Sequence, residues 1–129
     1  MTAWVWLDER DAHAVHERLL MLHGGAAGVR DESLLESVLA RPRQLSAYGK
    51  NADVIDLAAS YTSGIVKNHP FLDRNKRTGF VIGILFLELN GVQFTAREEE
   101  ATQAVIGLSA GTLNDAGYAA FLRENVTRE

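Results

Sequence analysis

The chain contains no cysteine, which excludes a disulfide framework, a thiolate nucleophile and a zinc–thiolate site together. It is short of positive charge. Its 13 Lys and Arg stand against 17 Asp and Glu, for a formal net charge of −4, whereas a direct nucleic-acid binder normally shows a basic face. Long apolar runs are also missing: the most apolar stretch, Gly79 to Leu89, is too short to span a bilayer and reads as a buried helix. Asp8, Glu9, Arg10 and Asp11 occupy the region where an export signal needs an apolar core. The expectation is a soluble, cytoplasmic protein with no membrane and no nucleic-acid partner. Its 129 residues suit one domain over 1–129 with a core large enough to need no staples.

What is present is mostly helical pattern, and no segment sustains the alternation of a strand. Asp8 caps a first helix running to about Leu22, with Ala12, Val15, Leu19 and Leu22 on one stripe. Gly24-Gly25 ends it. Asp31 caps a second, short helix through Leu34, Leu35, Val38 and Leu39, which Pro42 is expected to stop. Residues 44–52 then read as a polar loop or small hairpin. A third helix spans about Asp53 to Asn68, ended by Pro70, and a fourth runs from Asn75 to the cap pair Asn90-Gly91. The fourth is apolar on nearly every side and is expected to be the central helix. Thr95 with Glu98 predicts a capping box for a fifth, and Asn114 caps a sixth. The fold class expected is all-α, a compact bundle of about six helices.

The chemistry concentrates at the junction of the third and fourth helices, in His69-Pro70-Phe71-Leu72-Asp73-Arg74-Asn75-Lys76-Arg77. Pro70 forces His69 onto a helix end or loop. Phe71 is an apolar residue in a polar loop, as expected of a buried anchor. The first amides of a helix lack internal partners and carry the positive end of its dipole, so they bind anions. Cations in a first turn oppose that dipole, so Arg74, Lys76 and Arg77 make sense beside an anionic ligand. A carboxylate such as Asp73 beside phosphates can hold Mg²⁺, and a histidine can take a proton from an attacking hydroxyl. Taken singly, these residues read blandly: a surface His, a capping Asp, a solvated basic face. Together they supply the parts of phosphoryl transfer.

Elsewhere, His13 and His16 lie on neighbouring turns at a spacing that can hold a metal, but no third ligand is evident. Gly79 and Gly83, four residues apart, read as close helix packing. Trp4 and Trp6 are expected to pack the N-terminal segment onto the bundle.

The loop resembles the Fic motif, a His-Pro-Phe followed by an acidic residue, a small anion-binding loop and Arg. It is closer to the Doc branch, in which Asn-Lys-Arg follows the acid. Upstream, Gly28-Val29-Arg30-Asp31-Glu32-Ser33-Leu34-Leu35-Glu36-Ser37 and Ala40-Arg41-Pro42 resemble the N-terminal half of Doc proteins, the toxins of death-on-curing toxin–antitoxin pairs. The resemblance implies that His69 is the general base, Asp73 the Mg²⁺ ligand and Asn75 a holder of phosphates in the anion hole. It implies that Lys76 and Arg77 contact the phosphates of ATP and that Lys67 reaches them too.

Adenylylating Fic enzymes have a second glycine where Lys76 stands and a second arginine where Phe80 stands, whereas Doc proteins share both changes seen here. Phe80 is equally well explained as facing the core of its helix. Arg74 departs from the family pattern, where a small residue is usual, and can either add a phosphate contact or crowd the anion hole.

The reading is a Doc-like toxin that moves the γ-phosphate of ATP to a Ser or Thr of a protein, elongation factor Tu by resemblance, and so blocks translation. A Fic-type AMP transferase is the nearer alternative. A catalytically silent antitoxin-binding module, acting as a corepressor, is the other. No inhibitory Ser/Thr-x-x-x-Glu string followed by Gly or Asn is found in the sequence, so restraint is expected from a small antitoxin that folds as a helix into a groove.

Overall fold

A computed structural model of the chain describes residues 3–49 and 51–128. Six helices run in the order α1 (Glu9–His23), α2 (Glu32–Tyr48), α3 (Val54–Asn68), α4 (Asn75–Leu89), α5 (Glu98–Ala110) and α6 (Asp115–Glu124). The all-α bundle is as expected, with one addition. Strand β1 (Val92–Phe94) pairs antiparallel with β2 (Val126–Arg128), Gln93 opposite Thr127. Three residues are too few to show a period, so the pattern could not reveal them.

Side-chain caps set most helix starts. Asp8 and Asp11 form a reciprocal capping box on α1, and Asp53 and Asp56 form another on α3. Asp31 caps α2 by accepting from the Leu34 amide at 3.0 Å, and Asn114 caps α6 by accepting from Gly117 at 2.8 Å.

Three expectations need correction. Pro42 does not stop α2: the helix continues to Tyr48, so residues 44–48 are helical and not a hairpin, while Lys50 lies outside the described residues. An interior proline loses one helical bond. Here its ring is buried and the extra turns bring Leu45 against the core, which offsets that loss. The capping box at Thr95 does not form either. The α5 helix starts from Arg97 without a side-chain cap, because both the amide and the hydroxyl of Thr95 donate to the Asn125 carbonyl beside the strand pair.

The third correction concerns the centre. Helix α3, not α4, is the central element: it touches α2, α4, α5 and α6, and its residues from Val54 to Val66 are buried almost without interruption. Ala58, Ala59, Ser63 and Gly64 keep it thin enough for neighbours on every side. Helix α4 packs directly along it. A Cβ at Gly79 would fall 2.9 Å from Val66 Cγ2, and one at Gly83 would fall 3.1 Å from the Ala58 carbonyl oxygen, so the two glycines are what lets α4 lie this close. The N-terminal segment is tied on by Trp6 stacked 5.7 Å from Phe86 and by the Leu7 amide donating to the Tyr61 hydroxyl at 3.0 Å. Among the described residues, no helix is long and apolar enough to cross a membrane.

Candidate active site

The α3–α4 crossing leaves the ends of these helices joined by the short loop 69–74. His69 is the C-cap of α3 in the left-handed region, at φ 52° and ψ 57°, with its amide donating to the Ile65 carbonyl at 3.1 Å. Pro70 disfavours helical geometry at the preceding residue, so the chain must leave the helix at His69. The side chain of His69 is thereby exposed at the lip of a cleft.

Phe71 anchors the loop. It is 1% exposed, it bridges to Val29, and its ring lies 4.1 Å from that of His16 at an angle of 13°. The buried Asn75 side chain holds the same residue from the other side. Its Oδ1 accepts from the Phe71 amide at 3.0 Å and its Nδ2 donates to the Phe71 carbonyl at 2.9 Å. Both ends of that amide group are therefore spent on the loop. Asn75 can offer an anion its main-chain N–H, but its side chain faces the loop backbone, contrary to the simplest picture of a phosphate-holding amide.

Asp73 is exposed, and both its oxygens accept main-chain bonds, Oδ2 from Ala26 at 3.1 Å and Oδ1 from Arg74 at 2.9 Å. The Ala26 and Arg74 amides, helped by the nearby Arg74 charge, hold its carboxyl below the usual aspartate range, so it is an anion at neutral pH. Each oxygen keeps capacity for a further partner. Gly25, at φ +123°, closes this corner: a Cβ there would fall 2.9 Å from Asp73 Oδ2.

Arg74 is the N-cap of α4, also left-handed at φ 62° and ψ 27°. Its side chain turns back to α1, where Nε donates to the Gly24 carbonyl at 2.9 Å and Nη2 donates to that of His23. The guanidinium thus satisfies two orphan carbonyls at a helix end. Its charge is thus engaged at the end of α1, although Arg74 still lines the cleft described below. The α4 first turn consequently has no side-chain cap, and the first amide donating back within it is Thr78, to the Arg74 carbonyl at 2.9 Å. The amides of Asn75, Lys76 and Arg77 find no acceptor among the described residues. They are the open positive end of a helix.

These groups face a cleft of about 520 Å³, in the range of small-molecule sites. His69, Asp73, Arg74, Lys76 and Arg77 line it, and Phe80 with Ala101, Val105 and Ile106 of α5 supply its apolar wall. Lys76 is exposed. Arg77 lies 5.8 Å over the Phe80 ring and makes a 3.6 Å exposed contact to Glu98, too weak a pair to commit it. Phe80 is half-buried and packs on Phe94 at 5.7 Å, so it faces the cleft as much as the core.

Lys67 is not in the cleft. Its Nζ pairs with Asp115 at the start of α6 at 2.8 Å, and Ser63, one turn earlier on the same face, donates to the same carboxylate. Helical periodicity places residues 63 and 67 together toward α6, while His69 has already left the helix. His16 plays a part in the loop that is not visible in the sequence. It is a buried residue whose Nε2–H donates to the Asp73 carbonyl at 3.0 Å beneath the Phe71 ring, while His13 pairs with Glu32 at 3.4 Å. The i, i+3 spacing of the two histidines carries no hint of that role.

The sequence pattern of the Fic/DOC family matches residues 6–87, from the approach to α1 through nearly all of α4. The chain belongs to the Fic/DOC family. It is 31% identical over 110 residues to "Protein kinase doc" of Escherichia phage P1, covering 85% of this chain and 86% of that one. It is 41% identical over 75 residues to "Toxin Doc" of Mycolicibacterium smegmatis, covering 57% of each. In this Fic/DOC member the matched span holds the whole loop 69–77, whereas the apolar wall on α5 lies beyond it.

Proposed function

We propose that this protein is a Doc-type toxin that moves the γ-phosphate of ATP to a Ser or Thr hydroxyl of a protein, elongation factor Tu by resemblance, and so arrests translation. The observation that carries this reading is the convergence in one cleft of an exposed histidine, an ionised carboxylate, and three first-turn amides and a lysine that have no partner among the described residues. The name of the phage P1 relative supports kinase chemistry, and that of the Mycolicibacterium relative supports toxicity.

In this scheme the amides of Asn75, Lys76 and Arg77, with the Lys76 ammonium, bind and orient the phosphates. His69 takes the proton from the acceptor hydroxyl as its oxygen bonds to the γ-phosphorus, and the bond to the β–γ bridging oxygen breaks to release ADP. The apolar wall of Phe80, Ala101, Val105 and Ile106 excludes water on one side. A Mg²⁺ fits: among the described residues no three acidic or histidine side chains converge to cage a metal, but Asp73 alone suits an ion that takes most of its oxygens from phosphates and water. Held there, the ion would offset phosphate charge. With Phe80 in place of an arginine, Lys76 and Arg77 are the side-chain cations that would draw the phosphates toward α4, which favours phosphate transfer over AMP transfer. A small antitoxin, docked as a helix, would restrain the enzyme in the cell.

Toxicity gives the cellular test. Expression in a bacterium should slow growth, and Asp73→Asn should relieve it. Growth arrest that persists in the Asp73→Asn strain at equal protein level would refute the role given to this carboxylate.

A further inference from the structure

We infer that Arg30 is a positioning residue for His69, a clamp from outside the motif that fixes the direction in which the base points. This inference rests on the phosphotransfer reading for its kinetic consequence, but its structural part stands alone. His69 is a non-glycine residue in the left-handed region, a conformation histidine tolerates better than most but still at a cost. Something must hold it there, because a residue freed from that geometry would swing its side chain away from the cleft.

The Arg30 guanidinium supplies the hold. Nε donates to the His69 carbonyl at 2.7 Å and Nη2 to the Asn68 carbonyl at 2.8 Å. The two carbonyls belong to the peptide links on either side of the His69 Cα and lie at the helix end, where they lack intrahelical partners. A fork-shaped group spanning both fixes the orientation of the two peptide planes on either side of the His69 Cα. The main chain reinforces the register: the Arg30 and Asp31 amides both donate to the Pro70 carbonyl, at 2.7 and 3.1 Å, and the Leu72 amide donates to that of Gly28 at 3.1 Å. These main-chain bonds survive replacement of the side chain, so the loop should remain docked while His69 alone loosens. Arg30 does not line the cleft, and its side chain meets the loop at the carbonyls of Asn68 and His69.

The test compares Arg30→Ala and Arg30→Lys with the full-length wild type in three measurements: phosphate-transfer kinetics, Mg²⁺–ATP binding by calorimetry, and hydrogen exchange of the His69 amide. Arg30→Ala should lower kcat by about ten- to a hundredfold, since misplacing a reacting group by about 1 Å can cost that much. ATP affinity and binding stoichiometry should stay within about threefold. The His69 amide should exchange at least about tenfold faster, and Arg30→Lys, keeping one charged donor, should recover part of both effects. Wild-type turnover and exchange in Arg30→Ala would overturn the clamp, as would a fall in ATP-binding stoichiometry matching the fall in kcat. If the wild type transfers no phosphate while His69 exchange still quickens selectively in Arg30→Ala, the clamp stands and the phosphotransfer reading fails.

Discussion

Replacing His69 by Ala should lower phosphate transfer by about 10²–10⁴-fold, the usual worth of a positioned general base. The side chain is exposed and makes no hydrogen bond to another described residue, so the loss should be one of chemistry and not of folding. Alanine is a poor occupant of the left-handed cap, however, at a cost of about 1–2 kcal/mol. His69→Asn removes that ambiguity, because asparagine accepts the same backbone geometry and cannot serve as the base. Both variants should bind Mg²⁺–ATP as the wild type does. Initial rates with a labelled nucleotide, alongside a thermal melt, decide the matter: a His69→Asn rate within about threefold of wild type would remove His69 from the mechanism.

The second large effect is on stability. Phe71→Ala should destabilise the fold by about 3–5 kcal/mol, the range for emptying a buried phenylalanine site. Against a total of about 5–15 kcal/mol for a domain, that is a large fraction. Phe71 is 1% exposed and stacked on His16, and its main chain is held by the Asn75 side chain, so neither neighbour can easily close the gap. The adjacent Leu72 is 55% exposed, and Leu72→Ala should change stability by no more than about 0.5 kcal/mol. Urea denaturation of the two variants checks this contrast. A Phe71→Ala cost near that of Leu72→Ala would mean that the loop is not anchored to the core as described.

The helices were legible because each carries its own local signals. Asp8, Asp31 and Asn114 all cap as expected, Asp53, read as the start of the third helix, is its N-cap, and Asn90-Gly91 ends α4, with Gly91 at φ +83°. What failed was where tertiary packing outbid a local rule. Pro42 stays within α2 because its ring is buried, and Thr95 gives up capping to close the strand pair. The site followed the same division. The run His69 to Arg77 names the cleft, since main-chain geometry at a Pro-directed helix junction is set locally.

The destinations of long side chains are not set locally. Lys67 goes to Asp115, 48 residues on, and Arg74 goes to carbonyls 50 and 51 residues back. Arg30 and His16 reach the loop across 39 and 57 residues. No spacing in the sequence encodes those contacts. Arg74, the departure from the family pattern in the loop, spends its guanidinium on the end of α1.

The most direct measurement is to incubate the purified protein and Mg²⁺ with bacterial extract and ATP labelled at either the α- or the γ-phosphate, with His69→Ala as control. Label is expected from γ-labelled ATP alone, on a band the size of elongation factor Tu, and absent from the control. Label carried over from the α-phosphate would contradict phosphate transfer and establish nucleotide transfer in its place.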